Sequence, residues 1–333
     1  MKIIDNQSIL LDIYQEYRLP PGLFYGNTGL GIVLLLSRQL SCDDFFGKSI
    51  LDMKSISTDI TLESGITGVG IALNYLFQKL QKKQLRGLLS EIDSKVCQKV
   101  ACDSNVDIDS SYGAVFYLCH RLRNDKHLSG TIREIFEFHI AASTEHIIDY
   151  YIGTTHHDYR FSLRHSTSVF VFALSMVLSC TGNKTMWIKK IKPMLPVLLE
   201  VYPFSPGNRL MYWHALSQLN KLLEGNKKIS NHIAILQHSI SQQSLLDCVN
   251  GNVYLGEGAC GIYYLSRHFP EFKDSMSNFS HEIENYISNS LEIHHLGDIK
   301  YLKNHLGMWD GVAGIMLIES LMRTDRIFHG NFE

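Results

Sequence analysis

A chain of 333 residues with 45% apolar content can bury one large core or two ordinary ones, and a formal net charge of −2 with both signs interspersed carries no signature of nucleic-acid or anionic-membrane binding. The start, Met1-Lys2-Ile3-Ile4-Asp5-Asn6-Gln7, lacks the apolar stretch of a signal peptide, and the longest apolar-leaning run, Val169 to Leu178, is broken by Ser175 and too short to span a bilayer. The 7 scattered cysteines, an odd number without a C-x-x-C pair, fit reduced thiols, so a cytoplasmic location is expected.

In chain order, an amphipathic lead over Ile9 to Tyr17 is turned by Pro20-Pro21-Gly22 into Gly26-Asn27-Thr28-Gly29-Leu30-Gly31-Ile32. Here two glycines stand three apart, and an apolar run follows at once through Leu36. Asp43-Asp44-Phe45-Phe46 opens a more polar segment. The pattern returns at Gly65-Ile66-Thr67-Gly68-Val69-Gly70-Ile71. Behind it, Lys82 to Val100 reads as an amphipathic helix, with Leu85, Leu88, Leu89, Ile92 and Val96 at helical spacing. One unit is therefore an apolar helix followed by a charged one. Weaker copies come next. Ser110-Ser111-Tyr112-Gly113 has serine for the first glycine, His165-Ser166-Thr167-Ser168 has lost both, and Trp213-His214-Ala215-Leu216 keeps least. Gly258-Ala259-Cys260-Gly261 and Trp309-Asp310-Gly311-Val312-Ala313-Gly314 are clear again.

The units thus begin at 26, 65, 110, 166, 216, 258 and 311. Spacings of roughly 40–55 residues leave room for a helix pair each. Outer helices are expected over Thr131 to Tyr151, Lys184 to Leu199, Ile229 to Leu246 and Phe272 to Leu291. Residues three apart share a helix face, so paired glycines let another backbone approach there. The all-round apolar character behind them means a helix buried on most sides. Inner helices that all start alike would be parallel and enclosed by antiparallel partners. The expected fold is a single all-α domain over 1–333, an (α/α) toroid of about seven helical hairpins with Gly-x-x-Gly inner helices. Its inner N-termini would share one rim.

The Gly-x-x-Gly-Ile/Val array and its spacing resemble the lanthionine synthetase C-like (LanC-like) family along nearly the whole chain. That resemblance implies a double ring of helices and a role in maturing ribosomally made peptides. It also implies a precursor peptide, and other maturation proteins, as partners. In the family's cyclases two cysteines and one histidine hold a zinc ion that activates a peptide cysteine for addition to a dehydrated serine or threonine. The family's first zinc cysteine falls here on His214, and the other two ligands fall on Gly256 and Glu257. The thiolate-rich donor set that suits zinc is absent, so a zinc-free, peptide-binding or atypical member is expected. A cyclase with an unusual site using His214 and Glu257 is the alternative. The family's proton-transfer histidine falls on His165. Its acidic residue falls on Val106, with Asp107 one place off.

On the toroid expectation the mouth is lined by Tyr25, Glu63, Asp109, His165, Trp213, His214, Glu257, Trp309 and Asp310. His165, Glu257 and Asp310 are the catalytic candidates, and Tyr25, Trp213, His214 and Trp309 the substrate-binding ones. Neighbouring helices pack roughly 8–10 Å apart, so Glu257 and Asp310 could flank one substrate. A carboxylate pair at roughly 6.5–9.5 Å suits an inverting glycosidase, which makes a carbohydrate-active enzyme a further alternative. Either acid can equally cap its helix. His165 can act as acid or base near neutral pH, or serve as a structural hydrogen-bonding group. Trp213 and Trp309 make an aromatic platform or fill core, and Cys260 is expected to fill core space. His156-His157-Asp158 and His294-His295 read as loop residues without metal-motif spacing.

Overall fold

The computed structural model describes residues 7–17, 19–55, 59–80, 84–103, 105–156, 158–249, 251–295 and 298–329. The first six residues of the start and His157 lie outside the described residues. The chain is all-helical, with no strand among the described residues. The helices are α1 (Gln7–Glu16), α2 (Asn27–Leu36), α3 (Cys42–Ser55), α4 (Ile66–Leu80), α5 (Gln84–Cys102), α6 (Ile108–Asn124), α7 (Gly130–Gly153), α8 (Ser166–Cys180) and α9 (Lys184–Ile191). They continue with α10 (Leu195–Glu200), α11 (Pro206–Leu222), α12 (Lys227–His238), α13 (Gln242–Asp247), α14 (Ala259–Ser266), α15 (Met276–Ser288), α16 (Leu291–His294), α17 (Ile299–Asn304) and α18 (Val312–His329). No helix among the described residues is long and apolar enough to cross a membrane. All seven cysteines carry free thiols, and Cys260 is fully buried in the core.

Alternate helices pack on one another. α2 meets α4, α4 meets α6, α6 meets α8, α8 meets α11, α11 meets α14, α14 meets α18, and α18 returns to α2. Each of the first six also packs on a more polar helix that follows it: α3, α5, α7, α9, α12 and α15. The apolar helices supply the core through residues such as Leu30, Leu73, Leu118, Leu174, Leu216, Ile262 and Ile315, all of them inaccessible to solvent.

The paired glycines have a specific cause. In four units the loop before the helix folds back over the helix start. Asn27, Ile66, Ala259 and Val312, the first residues of α2, α4, α14 and α18, each donate their N–H to the carbonyl seven residues earlier, at 2.6–2.9 Å. That carbonyl satisfies one of the otherwise orphaned donors of a helix N-terminus. It also lies where a side chain on the preceding glycine (Gly26, Gly65, Gly258, Gly311) would begin, closer than 3.0 Å to an added Cβ. The second glycine (Gly29, Gly68, Gly261, Gly314) meets the carbonyl six before it in the same way. Only hydrogen fits at either place.

Two units start several residues away from where the sequence pattern suggests, and α8 starts one residue early. The third helix of the apolar set, α6, begins at Ile108 rather than Ser110. Asp107 caps it, its carboxylate accepting from the Ser110 N–H at 2.8 Å and the Ser110 hydroxyl at 2.8 Å. The fifth, α11, begins at Pro206, so Trp213 and His214 lie two turns inside a helix instead of at its start. Proline at a first helical position forgoes an N–H that has no intrahelical partner anyway. Among the polar helices, Pro193 and Pro196 break the expected Lys184–Leu199 helix into α9, a 3₁₀ turn and α10. A capping box at Ser241 and Ser244 separates α12 from α13.

Candidate functional site

The loops that lead into the apolar helices are tied to one another by their backbones. The Leu163 N–H donates to Gly256 O (2.8 Å), Gly256 to Trp309 O (2.7 Å), Trp309 to Phe24 O (3.1 Å) and Phe24 to Glu63 O (3.1 Å). Each of these residues stands two places before the residue that precedes its helix, so one position of the repeat builds a collar. The loop before α8 is carried across the start of α11 to reach α14. Asn208 holds it there, with its amide donating to Arg160 O (2.7 Å) and Asp158 O (3.3 Å) and its carbonyl accepting from the Ser162 N–H (2.9 Å).

Beneath the collar lies a cavity of about 690 Å³. Its wall is mainly apolar and aromatic: Tyr112 and Phe116 of α6, Val169, Phe172 and Met176 of α8, and Trp309 from the collar. Glu63, Asp109 and Arg164 are its charged lining residues. Burial, with the Asp107 charge adding to it, raises the Asp109 carboxyl above its ordinary value. Arg164 pairs with Glu63, and its guanidinium lies 5.4 Å from the Tyr25 ring centre and 5.3 Å from that of Trp309. One side chain thus joins the loops before α8, α4, α2 and α18.

Of the residues expected at the mouth, Glu63, Asp109 and Trp309 line one cavity, with Tyr25 joined to them through Arg164. Arg164 itself escaped it. The sequence pattern puts His165 directly before the residue that caps its helix, but α8 starts one residue earlier than the pattern suggests. His165 is its capping residue, and the preceding place belongs to Arg164.

His165 is buried. Its Nδ1 accepts the Ser168 N–H at 3.3 Å and stands 2.6 Å from the Ser168 hydroxyl. Burial lowers its pKa to about 4, against a raising influence from Asp158, whose Oδ2 is 3.9 Å from Nε2. Asp158 also explains why this unit tolerates a side chain where others need glycine. Its carboxylate, not a backbone carbonyl, accepts the first helical N–H, that of Ser166, at 2.8 Å. His165 lines a second cavity of about 720 Å³ with Tyr151, His156, Tyr202 and Phe204, outside the collar.

Trp213 is buried edge-on against Phe269, with ring centres 4.7 Å apart and no partner for its indole N–H among the described residues. His214 stacks on His268 at 5.7 Å and stands behind Phe172, itself a cavity residue. Burial, then the neighbouring His268, lowers its pKa. Glu257 and Asp310 are exposed, and neither lines either large cavity.

The positions of the family's zinc ligands do not fit a zinc ion. His214 is two turns within α11, and Gly256 has no donor atom. An added Cβ at Gly256 would run into the Trp309 indole. No group of three His, Cys, Asp or Glu side chains placed to hold a metal occurs among the described residues. The molecule is, by its fold and site, an all-helical protein with a collared, aromatic-walled cavity. No protein-family model and no curated protein matches the sequence.

Proposed function

We propose that the chain is a LanC-like (α/α) toroid of seven helical hairpins, one domain over residues 1–333. Its central cavity holds a ribosomally made precursor peptide during maturation in the cytoplasm. The returning succession of packing partners, from α2 through α18 and back to α2, supports the toroid. The carrying observation for function is the cavity beneath the collar. Its volume and aromatic wall suit a peptide's apolar side chains, and Glu63, Asp109 and Arg164 add charged groups to an otherwise mainly apolar lining, the usual composition of a binding cavity. Without the zinc donors the cyclase route has no metal to activate a peptide thiol, so the reading is of a protein that holds and presents the peptide. Neighbouring maturation proteins are its partners.

The test is calorimetric titration with a ribosomally made precursor peptide. Saturable one-to-one binding is expected, lost in Val169→Trp, which fills the cavity from the half-buried Val169 position. Absence of binding, or binding untouched by that substitution in a protein of normal helicity, sinks the reading.

A further inference from the structure

We infer that Arg164 is the anion receptor of the central cavity, that Glu63 occupies it in the absence of ligand, and that the ligand is an apolar peptide segment bearing a carboxylate. The inference rests on the proposed peptide-binding role of the same cavity and names the chemistry it selects.

Arg164 reaches from the loop before α8 to residues before α2, α4 and α18, each belonging to a different unit of the repeat. Two aromatic rings hold its guanidinium, Tyr25 at 5.4 Å and Trp309 at 5.3 Å. Aromatic faces attract a guanidinium, favour its planar stacking and limit its rotation. A side chain serving only solubility has no need of this. The group it presents is a planar fork of five N–H donors, matched in shape to a carboxylate. Glu63 takes the Nη2 side of that fork.

Glu63 is the model for the ligand. Its carboxylate shows where an incoming one would sit, at the edge of the apolar wall. The pair is also easily exchanged. The Arg164 and Glu63 side chains are 42% and 30% exposed, and an ion pair so open to water contributes little stability. A ligand that buries aromatic or branched side chains below and offers a carboxylate at the mouth keeps the charge pairing and adds apolar burial, while Glu63 turns to solvent. The other acid of the cavity, Asp109, lies at the start of α6, where burial and then the Asp107 charge raise its carboxyl above the ordinary value.

A chain-terminal carboxylate and an acidic side chain share this chemistry, and three fluorescent probes separate them: dansyl-Phe-Phe as the free acid, its carboxamide, and dansyl-Asp-Phe carboxamide. The full chain is titrated with each. The free acid is expected to bind roughly 10–100-fold tighter than its amide, the range of a hydrogen-bonded charge interaction. Arg164→Gln is expected to erase that difference. Glu63→Gln, which removes the internal competitor, is expected to tighten acid binding roughly 2–5-fold and leave the amide unchanged. Tight binding of the Asp-Phe amide assigns the receptor to acidic side chains, and discrimination against it assigns the receptor to chain ends. Far-UV circular dichroism checks that both variants fold. Equal binding of all three probes overturns the inference and leaves the cavity's peptide role standing. Weaker acid binding in Glu63→Gln also overturns it, because Glu63 would then be part of the receptor. Failure of every probe to bind overturns both readings.

Discussion

His165 offers a quantitative handle on how this protein responds to acid, through the substitution His165→Asn. Asparagine is a strong helix-capping residue and keeps an oxygen to accept the Ser168 N–H, but it does not titrate. In the wild type, burial holds the imidazole at about 4 against an ordinary 6.5. Between those values the folded protein keeps His165 uncharged while the unfolded chain has bound a proton. Stability therefore rises with pH across that window, is complete above about 6.5, and is lost as pH falls toward 4. The difference corresponds to roughly 2–3 kcal/mol between pH 7.5 and 4.5. Urea unfolding followed by circular dichroism at steps across that range measures it. At pH 7.5 the variant should lie within about 1 kcal/mol of wild type. On acidification the wild type should lose roughly 2–3 kcal/mol more than the variant. His120, also pushed to about 4 by burial, is present in both proteins and cancels. Parallel pH curves for the two proteins would refute a neutral, buried His165 and return it to the list of groups that titrate near neutrality.

Three further substitutions probe the frame around the site. Asp93 binds the buried Arg121 through two hydrogen bonds, at 3.0 and 2.9 Å, and accepts the Tyr117 hydroxyl at 2.6 Å. Asp93→Ala should cost about 3–5 kcal/mol in chemical denaturation, because it leaves a guanidinium buried with half its partners. A loss below about 1 kcal/mol would show that water reaches Arg121. Gly314→Ala places a methyl group against Met308 O, a backbone atom that cannot turn aside. It should destabilise by about 1–3 kcal/mol, as overpacking does, and a neutral effect on melting temperature would contradict the glycine rationale. Trp213→Phe removes a buried indole N–H that has no partner among the described residues. Stability should stay within about 1 kcal/mol of wild type and peptide affinity should not change, whereas a drop in affinity would make Trp213 the substrate platform that its burial against Phe269 argues against.

Much of the helical order was legible because its causes are local. Gly26 and Gly29, and their counterparts in three other units, mark places where a loop's own carbonyl approaches a helix start, so the constraint is written within eight residues of chain. Apolar periodicity after each pair is equally local. Where a unit solved the same problem differently, the pattern misled. Asp158 caps α8 with its carboxylate and frees position 165 to hold a histidine, and Pro206 starts α11 without any glycine pair. The shift at α8 by one residue hid Arg164 behind His165, and the shift at α11 carried Trp213 and His214 from the expected mouth to places two turns inside the helix.

By itself, then, the sequence determined that the chain is helical, where most of its apolar helices lie, and that the acids and aromatics before them belong near one another. Only the tertiary structure decided which of those groups share a cavity. The collar of backbone hydrogen bonds joins residues from five loops up to 285 positions apart, between Phe24 and Trp309. Such pairings depend on how helices pack, not on any neighbour in sequence. The same packing sends Arg164 toward Tyr25, Glu63 and Trp309 and leaves Glu257 and Asp310 facing solvent, because loop direction at a helix start is set by the carbonyls and side chains that cover it.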